Sequence, residues 1–176
     1  MSGIVNQTGA RSGVIGDTKL VAGSIGESVT FPSGHVIKTG YHWYSSAVTI
    51  TSSSKASGTS TGLDIAVQAS STSNFLYFFI NLSLKMTGSA SNSAYGMEVH
   101  DGSSIVYTDV TDTATWVTNT GNGDDSRRAW YHFRINPAST SNITYTMRCF
   151  KNASGQGLTA QLGGNTSYVT VMEVQA

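Results

Sequence analysis

A chain of 176 residues with ten Lys and Arg against ten Asp and Glu has room for one well-buried domain and no net field to draw phosphate backbones or anionic lipid. Charged residues make up only 11% of it, against roughly 25% in typical soluble domains, so its surface is polar but largely uncharged. Neither a nucleic-acid partner nor membrane insertion is expected, since no apolar stretch approaches the roughly eighteen residues of a span, and a single cysteine, Cys149, excludes an intrachain disulfide.

Residues 1–34 read as an extended arm. The opening Met1 to Gln7 lacks a basic segment followed by a sustained apolar one, so an export leader is not expected. "SGIV", "SGVIG" and "GSIG" form a loose repeat whose glycines break any helical period, leaving apolar studs at Ile4, Val5, Val14, Ile15, Leu20, Val21 and Ile25. Such studs suit docking on a partner surface, and Arg11, the arm's only arginine, is placed to bond partner carboxylates or carbonyls. A disordered tail is the alternative.

Residues 35–176 carry strand and turn signals throughout. In "FPSGHVIKTGYHWYSS" alternation from His35 sets Ile37, Thr39, Tyr41 and Trp43 on one face and Val36, Lys38, Gly40, His42 and Tyr44 on the other. The apolar weight of Tyr41 and Trp43 assigns them to the core and leaves His42 and Tyr44 exposed. Further strands are expected at Ala47 to Ser52 and Leu63 to Gln68. In "NFLYFFINLSLKM" Leu76, Phe78, Ile80, Leu82, Leu84 and Met86 form one unbroken apolar face. Phe75, Tyr77 and Phe79 lie on the other, where a lone sandwich leaves them wet, so they are the expected subunit interface of an oligomer, a homotrimer for preference.

The dipeptide Asp101-Gly102 in "YGMEVHDGSSIVYTDV" predicts a hairpin with a two-residue turn. Strands follow at Thr113 to Thr118, Arg127 to Asn136, Ile143 to Lys151 and Tyr168 to Gln175, separated by Gly, Asn and Ser-rich turns. In "DDSRRAWYHFRIN" Tyr131, Phe133 and Ile135 share one face, leaving Arg128, Trp130, His132 and Arg134 on the other. An exposed Trp flanked by arginines suits stacking on a sugar or a protein contact, and a sister subunit's cover is the plainer alternative. Nine or ten strands without a helical period specify an all-β protein, a jelly-roll-like antiparallel β-sandwich with an N-terminal arm.

Chemistry-bearing motifs are sparse. His35, His42, His100 and His132 show no spacing that sets two imidazoles on one metal, and no nucleophile elbow or phosphate loop is present, so no catalytic residue, metal or cofactor is expected. Asp124-Asp125 in "GNGDDS" would point apart as strand neighbours, and Asp109 with Asp112 lie in another loop. The turn "GNGDDS" offers oxygens to calcium, although a plain solvated turn is the stronger reading. Cys149 alternates with Ile143, Tyr145 and Met147, which makes it a small buried hydrophobe.

The opening "MSGIV…SGVIG", the junction "FPSGHVIK" and the terminal "YVTVMEVQA" resemble short, tail-fibre-like virion structural proteins of marine tailed phages, over about a third of the chain. That resemblance implies a non-enzymatic protein made in a host cytoplasm and carried on the virion exterior. Its arm would dock onto other virion proteins of capsid or tail, and its β domain would face outward as a fibre or adsorption appendage, touching a host-surface glycan or protein. A capsid decoration protein is the alternative, a carbohydrate-binding β-sandwich module a more remote one.

Overall fold

The computed structural model describes residues 32–87, 93–108, 115–117, 125–151 and 157–176. They form eleven strands: β1 (Val36–Tyr44), β2 (Val48–Ile50), β3 (Thr59–Gln68), β4 (Phe75–Thr87), β5 (Ser93–His100), β6 (Ile105–Thr108), β7 (Thr115–Val117), β8 (Asp125–Ile135), β9 (Asn142–Lys151), β10 (Gly157–Ala160) and β11 (Ser167–Val174). A 3-10 turn at Leu162–Gly164 is the one helical element among the described residues. The arm residues Ile4, Val5, Arg11, Val14, Ile15 and Ile25, with Leu20 and Val21, lie outside them.

The strands make two antiparallel sheets in a jelly-roll-like sandwich. The first runs β1-β11-β4-β10-β2 with β8 also on β4, and the second runs β3-β9-β5-β6 with β7 also on β5. β4 organises the first sheet. One of its edges pairs with β8 from Leu76 to Met86, and the other pairs with β11 from Phe75 to Asn81 and then with β10 from Leu84 to Thr87. The change of partner falls at Ser83, whose N–H donates to Ser167 Oγ (2.9 Å) and whose carbonyl accepts from Gln161 N–H (2.9 Å). The intervening turn keeps both groups satisfied, and it can double back so tightly because Gly163 and Gly164 take φ of 73° and 79°.

The inward faces agree with the alternation of the sequence. Leu76, Phe78, Ile80, Leu82, Leu84 and Met86 of β4 are all buried, against Tyr95, Met97 and Val99 of β5 and Tyr145, Met147 and Cys149 of β9. Phe78 stacks on Phe133 at 4.8 Å between ring centroids and meets Tyr145 edge-on at 5.1 Å. Tyr107 closes the stack on Phe133 at 4.0 Å.

Four local expectations are corrected. In β1 three placements are overturned: Tyr41 and Trp43 face outward, 62% and 56% exposed, and Tyr44 is half-buried against the core, while His42 is exposed as expected. Alternation identified the two sets of side chains but not which set faces in. Pairing with β11 decides it, because His42 lies opposite buried Val169 and Gly40 opposite buried Val171. The β5–β6 connection is a hairpin with four residues rather than two, Asp101 to Ser104, since Asp101 Oδ1 accepts from the N–H groups of Ser103 (3.0 Å) and Ser104 (2.7 Å) and Gly102 takes φ of 94°. Those N–H groups hold the Asp101 carboxyl below the usual carboxylate range, Ser104 above all. β10 lies between two expected turns where no strand was expected, and it is a strand because β2 and β4 flank it. The described residues alone hold eleven strands, against the nine or ten expected.

Two buried carboxylates tie loops to the sandwich. Glu173 accepts from Ser70 N–H (2.7 Å), Ser70 Oγ–H (3.3 Å) and Asn74 Nδ2–H (2.7 Å), with Lys38 Nζ at 4.0 Å. Glu98, fully buried on the outer side of the second sheet, accepts from the N–H groups of Ala56 and Gly58 and lies 3.0 Å from His100 Nε2. It holds Ala56 at φ of 77°, a backbone conformation costly for a residue with a Cβ.

Phe78→Ala is expected to lower the unfolding free energy by about 3 to 5 kcal/mol through lost burial and a residual cavity, read from denaturant midpoints. Glu98→Ala orphans the N–H groups of Ala56 and Gly58, so trypsin should cut after exposed Lys55 about tenfold faster or more in the folded protein. Unchanged cleavage would mean that another contact holds the loop.

Candidate binding face

The outward side chains of the first sheet follow from strand register. Trp43 of β1 lies opposite Tyr168 of β11, Tyr168 opposite Asn81 of β4, and Asn81 opposite Trp130 of β8. The next row reads Tyr41, Thr170, Phe79, His132, and the one after it Thr39, Met172, Tyr77, Arg134. Paired residues of antiparallel strands point to the same side, so these three rows form one continuous face across four strands.

Its rings are unusually open. Trp130 is 66% exposed and Phe79 43%, beside the outward Tyr41 and Trp43. Tyr168 joins the two sides, with its ring centroid 6.3 Å from Tyr41 and 5.8 Å, edge-on, from Trp130. On β1 the outward side carries Tyr41 and Trp43 while the inward side carries Lys38, Gly40 and His42, the reverse of what a solvated outer surface selects.

Polar groups are threaded through the rings. Arg128 Nη1–H donates to Asn81 Oδ1 (2.7 Å) and to the Thr166 carbonyl (3.1 Å). Asn81 is fully buried under this cover, and its Nδ2 finds no acceptor. The Arg134 guanidinium lies 4.4 Å from the centre of the Phe75 ring, a cation–π contact. A shallow hollow lined by Tyr77, Phe79, His132 and Arg134 opens beside it.

The residues singled out in the sequence therefore converge. Phe75, Tyr77 and Phe79 lie on the same surface as Arg128, Trp130, His132 and Arg134. Phe75 and Tyr77 are half-buried within the chain itself, which leaves Phe79 as the open ring of the three. Tyr41, Trp43 and Tyr168 were missed as members of this face. No local signal marked them, because the alternate set, Lys38, Gly40 and His42, is the more hydrophilic one and hydrophobicity therefore assigns Tyr41 and Trp43 to the core. Asp109, Asp112 and Asp124, with the side chain of Asp125, lie outside the described residues.

Among the described residues no group of three or more His, Cys, Asp or Glu side chains converges as a metal set. Cys149 is fully buried, and burial first, the nearby Glu98 charge second, push its thiol up to about 12. It is a packing residue, as its alternation with Tyr145 and Met147 indicates.

No family model matches the chain, and no curated protein does. Among solved structures it is similar to dimeric latent PorU from Porphyromonas gingivalis, with a TM-score of 0.39 and 9% identity, covering 82% of this chain and 14% of that one. It is similar also to infectious bursal disease virus, Gx strain, with a TM-score of 0.38 and 12% identity, covering 80% of this chain and 39% of that one. The chain spans less than two fifths of either relative.

Because the Cys149 thiol stays protonated and enclosed, an aromatic disulfide reagent at pH 8 should leave it unmodified in the folded protein and titrate one thiol in denaturant. Rapid modification of folded protein would place the thiol at the surface instead.

Proposed function

We propose that the chain is a non-enzymatic structural protein of a tailed-phage virion, attached to the particle by residues 1–31 and presenting its β domain outward as an adsorption appendage. The virion setting rests on the resemblance of the arm, the "FPSGHVIK" junction and the terminal strand. The single observation that carries the outward-facing role is the open aromatic face of the first sheet. Four large side chains, Tyr41, Trp43, Phe79 and Trp130, project from one regular surface at 43 to 66% exposure, and a patch of this kind marks a contact with something outside the domain.

Self-association through the same face is the second reading, favoured by exposed Phe79 next to Tyr77 and Phe75, and it makes the trimer the assembled form. A decoration protein would likewise have this face covered by a neighbour on the shell.

Purified protein added to host cells should slow adsorption of the parent phage by competition. A Phe79→Ser, Trp130→Ala double variant should lose that effect while still joining particles that lack this component, because attachment is assigned to residues 1–31. If the native protein leaves adsorption unchanged yet fills the vacant positions on such particles, it is a decoration protein. If protein lacking residues 1–31 joins particles as well as the full chain does, the division of labour is wrong.

A further inference from the structure

From the charge and chemistry of the aromatic face we infer that its ligand is an acidic carbohydrate chain, one bearing uronate or a comparable anionic substituent. The inference rests on the outward-facing role proposed above and names what that face takes.

Among the described residues, the charges that register places on the face are of one sign. Arg128 and Arg134 project from β8, and register places Thr39, Tyr41 and Trp43, Tyr168, Thr170, Met172 and Val174, and Phe75 through Lys85 at alternate positions on the other three strands. No Asp or Glu is among them, although acids equal bases in the whole chain. Arg128 bonds an amide and a carbonyl, and Arg134 rests on a ring, so among the described residues neither guanidinium meets a carboxylate. A guanidinium on an open apolar surface without a counter-ion suits an anion delivered from outside.

The same charges oppose a second copy as the occupant. Two such faces packed on each other bring Arg128, Arg134 and their equivalents together with no acid among the described residues of the face to offset them. Single-stranded nucleic acid also stacks on rings beside arginines. Its affinity, however, depends on many phosphate contacts along a basic track, and a neutral chain with two arginines on the face supplies too few.

The rings fit a sugar chain. Trp43 and Trp130 stand at the two ends of one cross-strand row, three strand spacings or about 14 Å apart, the reach of a short oligosaccharide lying across the strands. The C–H faces of pyranose rings pack on indole and phenol rings, and hydroxyls need donors and acceptors between them. Asn81 stands in the same row between Tyr168 and Trp130. Its buried Nδ2 lacks an acceptor while its Oδ1 is already engaged by Arg128, so a ligand oxygen that parts the edge-on contact of Trp130 with Tyr168 would complete its bonding. The side chains of Thr170 and His132 offer further polar contacts one row away.

The test is affinity electrophoresis of the full chain through gels carrying polygalacturonate, alginate or hyaluronate, against fully methyl-esterified pectin and dextran as uncharged controls, with oligothymidylate as the nucleic-acid arm. The inference expects retardation by at least one acidic polysaccharide and by neither neutral one. Trp130→Ala and Arg134→Gln should each weaken it about tenfold or more with unchanged melting temperatures. Equal retardation by the neutral polymers overturns the acidic class while leaving an outward-facing sugar surface in place. Tighter binding to oligothymidylate, or variants that bind like the native protein, overturns the inference. No retardation by any polysaccharide also overturns it, and sedimentation velocity then separates the two readings: concentration-dependent self-association lost in Trp130→Ala removes the free face as well.

Discussion

Strand β4 is the constraint on which the domain depends. It is hydrogen-bonded along both edges, by β8 on one and by β11 and β10 in succession on the other, so its pleat is fixed over its whole length. Pleating forces strict alternation, and a shift of one residue would exchange every inward side chain for an outward one. With Leu76, Phe78, Ile80, Leu82, Leu84 and Met86 all buried, each contributing about 1.5 to 3 kcal/mol, such a slip is prohibitive. The same rigidity fixes the other side. Phe75, Tyr77, Phe79 and Asn81 are held outward in register with β11 and β8, and those strands bring Tyr168, Trp130, His132 and Arg134 alongside.

The aromatic face proposed as a binding surface is thus a by-product of core packing at no extra backbone cost. Its side chains stand on regular strands rather than on loops, which keeps the spacing between rings constant and lowers the entropy lost when a ligand settles. Polar fixtures keep the rest in place without crossing the core. Glu173 fastens the approach to β4 from one side through Ser70 and Asn74, and Glu98 fastens the loop before β3 on the opposite surface. Each carboxylate has its oxygens met, those of Glu98 by backbone N–H groups and the His100 ring, those of Glu173 by a backbone N–H, the Asn74 amide and the Ser70 hydroxyl, which is what allows an acid to be buried there.

Much of this was legible in the sequence. The β4 and β8 periods gave both inward faces and the outward Arg128, Trp130, His132 and Arg134, because both strands carry a full-length contrast between apolar and mixed sides. β1 was not legible, since hydrophobicity pointed Tyr41 and Trp43 inward and only the pairing with β11, a long-range fact with an irregularity between Val36 and Lys38, turns them out. β10 was missed for a related reason. "GLTA" has little strand propensity of its own and is ordered by the strands on either side of it. Glu98 and Glu173 gave no warning either, as a carboxylate is buried by loops whose return path no local pattern encodes.

The proposed role requires the aromatic face of the first sheet to stay open to solvent on a phage particle. Hydroxyl-radical footprinting of intact particles, read by mass spectrometry, tests it most directly. The account predicts oxidation at Tyr41, Trp43 and Trp130 at rates close to those of the isolated protein, with Phe78 and Tyr145 protected in both. Strong protection of Tyr41, Trp43 and Trp130 on the particle would contradict it and make the face a contact within the assembled shell or fibre.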